Sequence, residues 1–289
     1  MSSVNSTSQL HEQLNRNSTP YQDPLVRVGW DALSLDEYWL PESAVSLHGT
    51  TEYRQLPAAQ RRRLSQFEYI HFLQAGLWLE GIFMERLGRS LRRPDPDLPR
   101  HIYRLHELRE EAGHSLMFLE LMRRSALPVP ATRMHRPSLI NLLGHRAPFH
   151  SVPFWIAVLI GEELPDRMNR HLRMHREEIC ATIYDMVTLH IIDEARHIAH
   201  VRDLLSQRLP KLASWRRAAL RPLLRAALRQ FVDVFYFPAP QTYEAAGLTP
   251  GTQWAHLARH NPARIRFVDE TLGPTVRMLA HMGFPMGWR

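Results

Sequence analysis

Two long stretches of the chain repeat apolar residues at three- and four-residue intervals with almost no punctuation. After Pro57 at its start, the stretch of residues 56–91 is interrupted only by Gly76, Gly81 and Gly88, and after Pro99 that of residues 98–126 only by Gly113. Neither alternates as a strand would, so each predicts a long helix. Prolines 128, 130, 137, 148 and 153 then mark the longest connection, with a short helix expected near residues 138–144. The apolar run from Val152 to Ile160 is about half the length a membrane span requires, so it predicts a buried helix. From Asp166 to Gln207 there is neither Gly nor Pro. That exceeds one ordinary helix, and a turn is expected near His175 to Glu178 on length alone. Lys211 to Phe235 predicts another helix, and one or two closing helices follow Pro240 and end at Met282.

The beginning of the chain reads differently. Residues 1–20 are rich in Ser, Asn, Thr and Gln, which predicts a disordered tail. Tyr21 to Thr51 scatter Pro, Asp and aromatic residues without period, as an irregular segment packed over something else would. Residues 21–289 are expected to form a single domain. Long helices in two pairs, divided by one long crossover, predict an all-α fold: a ferritin-like four-helix bundle core with additional helices and an irregular N-terminal segment.

Composition adjusts this picture only in part. The chain has 289 residues, 44% of them hydrophobic, and a formal charge of +7. Such basicity invites a nucleic-acid reading. Lys211 is the one lysine, however, and the arginines are spread along the chain with no run longer than Arg61-Arg62-Arg63. A nucleic-acid partner is therefore not expected, nor is a membrane. A single cysteine, Cys180, and a polar start without an apolar leader fit a cytoplasmic protein.

The 17 histidines change the picture more. In a bundle, metal sites are built from facing helices, and Glu-x-x-His places both side chains on one face. With 18 Glu and 17 His, about one such pair is expected by chance. Three occur: Glu68/His71, Glu111/His114 and Glu194/His197. The last two share a longer pattern, Glu110-Glu111-x-x-His114 and Asp193-Glu194-x-x-His197, each inside a long predicted helix. A metal-bound His donates its second ring N–H to a carboxylate, so Asp193 is expected to support His114 and Glu110 to support His197. His190, four residues before Glu194, lies on the same face and makes that site richer in nitrogen. Glu80 sits on the apolar stripe of Leu73, Leu77 and Met84, where a lone charge is costly. It is the expected ligand from its helix, while Glu68/His71 is expected to be structural or to support the ligands from behind. Glu163 is preferred to Glu162 on the next helix, because it aligns with Ile156 and Ile160 whereas Glu162 leads towards Asp166 and Asn169. Pro165 is expected to kink that helix and re-aim the carboxylate.

With these residues in place the sequence resembles the di-iron N-oxygenases, the family typified by para-aminobenzoate N-oxygenase. The likeness runs from Asp23-Pro24 and Trp30-Asp31 through Leu40-Pro41 and Gly76-Leu-Trp-Leu-Glu80 to Glu110-Glu111-Ala-Gly-His114 and His190-Ile-Ile-Asp-Glu-Ala-Arg-His197. It implies four Glu and three His around the metals, carried here by Glu80, Glu111, His114, Glu163, His190, Glu194 and His197. It also implies two iron ions, with manganese the alternative, and a homodimer. The implied activity is O2-dependent oxidation of an amine, from arylamine to hydroxylamine, nitroso or nitro compound, in secondary metabolism. An external electron donor is expected, because no Gly-x-Gly-x-x-Gly fingerprint is present. The same site could serve C–H hydroxylation or desaturation instead, or a bundle that only binds metal.

Overall fold

The structure is a computed structural model that describes residues 2–92, 95–131 and 139–289, the side chains of residues 2–8 excepted. Among these residues there are helices and turns but no strand. In chain order the α-helices are α1 (Ser2–Ser18), α2 (Pro24–Arg27), α3 (Thr51–Gln55), α4 (Ala58–Ser90), α5 (Leu98–Ser125), α6 (Leu139–Arg146), α7 (Val152–Met174), α8 (Ala181–Arg208), α9 (Ser214–Tyr236), α10 (Pro240–Ala245), α11 (Gly251–His260) and α12 (Pro262–His281). None is long and apolar enough to cross a membrane.

The bundle core is the pair α4 and α5 packed against the pair α7 and α8, with the crossover of residues 126–151 between them. Asp97 caps α5 by accepting from Arg100 N, and Ser151 caps α7 by accepting from Phe154 N. Each leaves a Pro in the first turn, where no intrahelical donor is needed. The turn between α7 and α8 falls at residues 175–180, as length alone required. Of the crossover, residues 132–138, including the first residue of the short helix expected there, lie outside the described residues.

Gly76 marks a close approach rather than a break. A Cβ there would stand 2.9 Å from the Phe118 ring of α5, so the missing side chain lets α4 and α5 draw together beside the histidines of α8. Outside the core, α9 and α12 both pack against α7. Arg264 of α12, almost wholly buried, donates to the carbonyls of Tyr236 and Ala44. It thereby ties the closing helices to the irregular segment. That segment packs as expected, with Trp39 and Leu47 fully buried.

The expectation for residues 1–20 is corrected. Residues 2–18 form α1, which packs along α5, with His11, Leu14 and Ser18 buried. These positions are three and four apart, a helical stripe, but only one of them is apolar. A hydropathy reading therefore misses the stripe. His11 Nε2 lies 3.0 Å from His200 Nδ1 on α8, which replaces apolar contact with a polar one. The Gly76 contact carries a prediction: Gly76→Ala forces Phe118 to shift and lowers stability by about 1–3 kcal/mol. Thermal or denaturant unfolding of the two proteins measures it.

Candidate metal centre

All four core helices deliver side chains to one buried point at mid-bundle. Glu80 comes from α4, Glu111 and His114 from α5, Glu162 from α7, and His190, Glu194 and His197 from α8, and every one is buried. Their donor atoms form two overlapping groups, Glu80/His114/His190/Glu194 and Glu111/Glu162/Glu194/His197, each within 4.8 Å of one another. Glu194 belongs to both. Its Oε1 is 3.5 Å from His114 Nδ1 and 3.4 Å from His190 Nε2, while Oε2 is 3.4 Å from His197 Nδ1. Glu111 also spans the groups, 3.1 Å from His197 Nδ1 and 3.5 Å from His114 Nδ1. The first group holds two imidazoles and the second one, so the nitrogen-rich asymmetry expected from His190 is present in the geometry.

These contacts are not a hydrogen-bonded network. Both oxygens of Glu111 and of Glu194, Nδ1 of His114 and His197, and Nε2 of His190 are buried without a hydrogen-bond partner. Buried polar atoms are rarely left so. Bare carboxylate oxygens and imidazole nitrogens aimed at one another suit divalent cations, with two carboxylates placed to bridge. The donor set therefore fits a di-metal site.

The protonation pattern shows the same shortage of positive charge. Burial and the nearby Glu111 carboxylate push Glu80 well up, and burial together with Glu194 does the same to Glu162. Burial alone would depress His114, but Asp193 and Glu111 override it and hold its pKa at about 10. His197 rises likewise against burial, through Glu194 and Glu111. His190 goes the other way, to about 4, because burial and the charge on His114 both disfavour its cation. Protons on the ring nitrogens thus stand where metal ions would supply the charge.

Each ring is oriented from behind. His114 Nε2 lies 3.2 Å from Asp193 Oδ2, and His197 Nε2 lies 3.0 Å from Glu110 Oε2. Each ring N–H donates to that carboxylate, which turns Nδ1 inwards. These are the two cross-helix pairs expected from the doubled motif. Arg196, inside the α8 motif but missed on reading the sequence, donates to Glu110 and to Asp193 and locks both acids. The Asn169 amide nitrogen Nδ2 lies 2.8 Å from His190 Nδ1. Turned with its oxygen to the ring, the amide accepts Nδ1–H and leaves Nε2 bare towards the centre.

The preference for Glu163 is corrected: Glu162 reaches the centre. Glu163 accepts from Arg167 and Arg202 and from Thr275 Oγ1 of α12. The alignment argument fails because α7 is buried nearly all round, between α8, α9 and α12. Its apolar stripe does not mark the side that meets the centre, and Glu162 and Asn169 on its polar line are the residues that reach it. Pro165 lies within α7, and Glu163 is turned to Arg167 and Arg202 rather than to the centre. Glu68 and His71 stand apart from the centre, as expected. Glu68 accepts from Ser46 N, and His71 Nε2 meets the Val234 carbonyl at 2.9 Å.

The space beside the centre is apolar and tight. A cavity of about 10 Å³ is walled by Glu80, Glu162 and His190 together with Leu79, Phe118 and Phe235. A second of about 30 Å³ lies beyond Leu79 and Glu162, against α6 and α9. Each of these two cavities, among the described residues, holds little more than a water molecule.

Comparison with known proteins agrees with this chemistry. The family model described as "P-aminobenzoate N-oxygenase AurF" matches residues 3–283. Uncharacterized proteins of Mycobacterium bovis and Mycobacterium tuberculosis are 24% identical over 276 residues, covering 93% of this chain and 78% of theirs. The Glu162/Glu163 geometry yields a paired prediction. Glu162→Gln lowers bound metal, whereas Glu163→Gln keeps it but loses about 1–3 kcal/mol by stranding Arg167 and Arg202. Metal analysis and thermal melts of the two variants separate the roles; equal metal loss in both contradicts the assignment.

Proposed function

The chain belongs to the p-aminobenzoate N-oxygenase family, and on that premise we propose that its buried Glu and His side chains hold two iron ions and that it N-oxygenates an amine, arylamines first. The observation carrying this reading is the pair of overlapping donor groups with Glu194 common to both. Glu80, His114 and His190 would hold one metal and Glu162 and His197 the other, with Glu111 and Glu194 within reach of both groups. Manganese fits the same donors as the alternative. Bound there, the metals supply the redox chemistry by which O2 oxidises the nitrogen.

The chain's own groups do the remaining work. Asp193 and Glu110 fix the tautomers of His114 and His197, Arg196 steadies both acids, and Asn169 orients His190. The apolar walls of Leu79, Phe118 and Phe235 exclude water and leave an amine's uncharged body as the compatible ligand. Taking an amine to a hydroxylamine consumes O2, two electrons and two protons and releases water, so an external electron donor is required. A homodimer is proposed as the working unit, on the resemblance to the family.

The tightness of the cavities favours a second reading, a bundle that retains metal without turning over an organic substrate. One set of measurements separates the two. Iron-loaded protein is expected to hold about two irons per chain. With O2, a chemical reductant and a panel of aromatic and aliphatic amines, it is expected to yield products whose mass includes an oxygen atom from labelled O2. Oxygen on carbon rather than nitrogen would point to C–H chemistry, and no product from any amine would point to metal retention. His190→Ala is expected to lose about one iron and the activity. Unchanged iron and turnover in that variant would sink the ligand assignment.

A further inference from the structure

A second concentration of charge lies away from the metal centre, where the end of α4, the start of α5 and the segment before α7 meet. A cavity of about 980 Å³ opens there, lined by Arg86, Arg89, Arg92, Arg100, Arg104 and His150. It is of the size that small-molecule sites occupy. Among the described residues Asp95 is the one carboxylate of its lining. Asp95 accepts from Arg100 Nε at 3.0 Å and faces Arg104 Nη1 at 3.1 Å, so it is already shared between two guanidinium groups. Of the acids just outside the lining, Glu85 pairs with Arg89, and Asp97 lies 3.6 Å from Arg100. Arg208 adds a further guanidinium to the group from α8. Burial and then the like charges of Arg100 and Arg104 depress it to about 10.

Two of the lining arginines are not surface groups. Arg86 and Arg104 are 8% and 2% exposed. Among the described residues neither Nε has an acceptor. Arg86 spends its terminal nitrogens on the carbonyls of His145 and Ala147, and Arg104 stacks on Phe149 with its guanidinium carbon 5.2 Å from the ring centre. Gathered and half-satisfied guanidinium groups repel one another in a partly dehydrated setting, which is costly unless an anion joins them. Guanidinium forks match carboxylate and phosphate oxygens in pairs. Arg86 and Arg104, being buried, are reachable only by a group small enough to enter, and this favours a small molecule over the face of an acidic protein.

We propose that this arginine-lined cavity is a binding site, separate from the metal centre, for a small multiply charged oxyanion, a phosphate or carboxylate compound with at least two anionic groups. Arg100 and Arg104 of α5 hold one anionic group and Arg89 and Arg92 at the end of α4 hold the other. Phe149 offers a flat apolar wall for whatever body joins them.

The test is calorimetric titration of the full-length protein with inorganic pyrophosphate and, separately, with tricarballylate, at low and moderate salt. The expected result is saturable binding of at least one of them, one per chain. Arg92→Gln and Arg100→Gln are each expected to weaken it about tenfold or more, while Arg16→Gln, on the exposed side of α1, leaves it unchanged. Thermal melts confirm that each variant is folded, and Arg92, exposed just beyond the end of α4, can be replaced without stranding Asp95. Pyrophosphate binding alone assigns a phosphate ligand, tricarballylate alone a carboxylate one, and both results support the site. Absence of saturable binding by either anion, or equal weakening by Arg16→Gln, overturns it. So does binding that only an acidic protein can produce.

Discussion

Glu80, Glu111, Glu162 and Glu194 are buried together in the middle of an apolar bundle, and carboxylates cannot be gathered there without positive charge to meet them. An uncompensated buried charge carries a penalty of several kcal/mol. The three imidazoles offset part of this when two of them hold extra protons, a state that the surrounding carboxylates favour by raising the pKa of His114 and His197. The donor set fits metal ions, which would supply that charge without a buried proton. Much of the rest of the molecule serves that centre: acids behind the rings, an arginine across the acids, and apolar walls that keep the dielectric low.

Helical geometry explains why so few residues suffice. On α8, His190, Glu194 and His197 stand four and three apart and fall on one face, and on α5 the pair Glu111 and His114 does the same. The residue before each motif Glu points sideways, towards the neighbouring helix, and so Asp193 meets His114 while Glu110 meets His197. Because α5 and α8 brace each other's rings in this way, the site requires both helices in register. The polar pairs therefore specify the packing as well as the chemistry.

The arginine cavity presents the opposite imbalance at the end of the same helices. There guanidinium groups outnumber the nearby carboxylates, and two of them are buried with an Nε that finds no acceptor among the described residues. The bundle thus carries buried negative charge at its centre and crowded positive charge at one end, each incomplete by itself. The protein's overall basicity is in part local. One cluster of it lies where α4 ends and α5 begins, although the linear order of the arginines gives little sign of it.

What was legible in the sequence was whatever depends on spacing along one helix. The long helices, the crossover and the doubled acid-Glu-x-x-His pattern all follow from periodicity and punctuation, because neighbours on a helix face are set by residue number. Asn169 and Arg196 were harder to find. They act across helices, and nothing in their local sequence says which neighbour they will meet. The helix at the start of the chain was hidden for a related reason: of its buried positions among the described side chains, His11 and Ser18 are polar, and His11 finds its partner His200 only in the folded chain. Glu162 and Glu163 show the limit most clearly. They are adjacent on α7, both buried, and equally acidic. Amphipathic alignment selects between them only when one side of a helix faces water, and α7 faces protein on nearly every side. Tertiary packing made the choice, by bringing Arg202 of α8 and Thr275 of α12 to Glu163 and leaving Glu162 turned towards the histidines. The sequence by itself determined which residues share a helix face, whereas only the tertiary structure decided which face meets the metal centre.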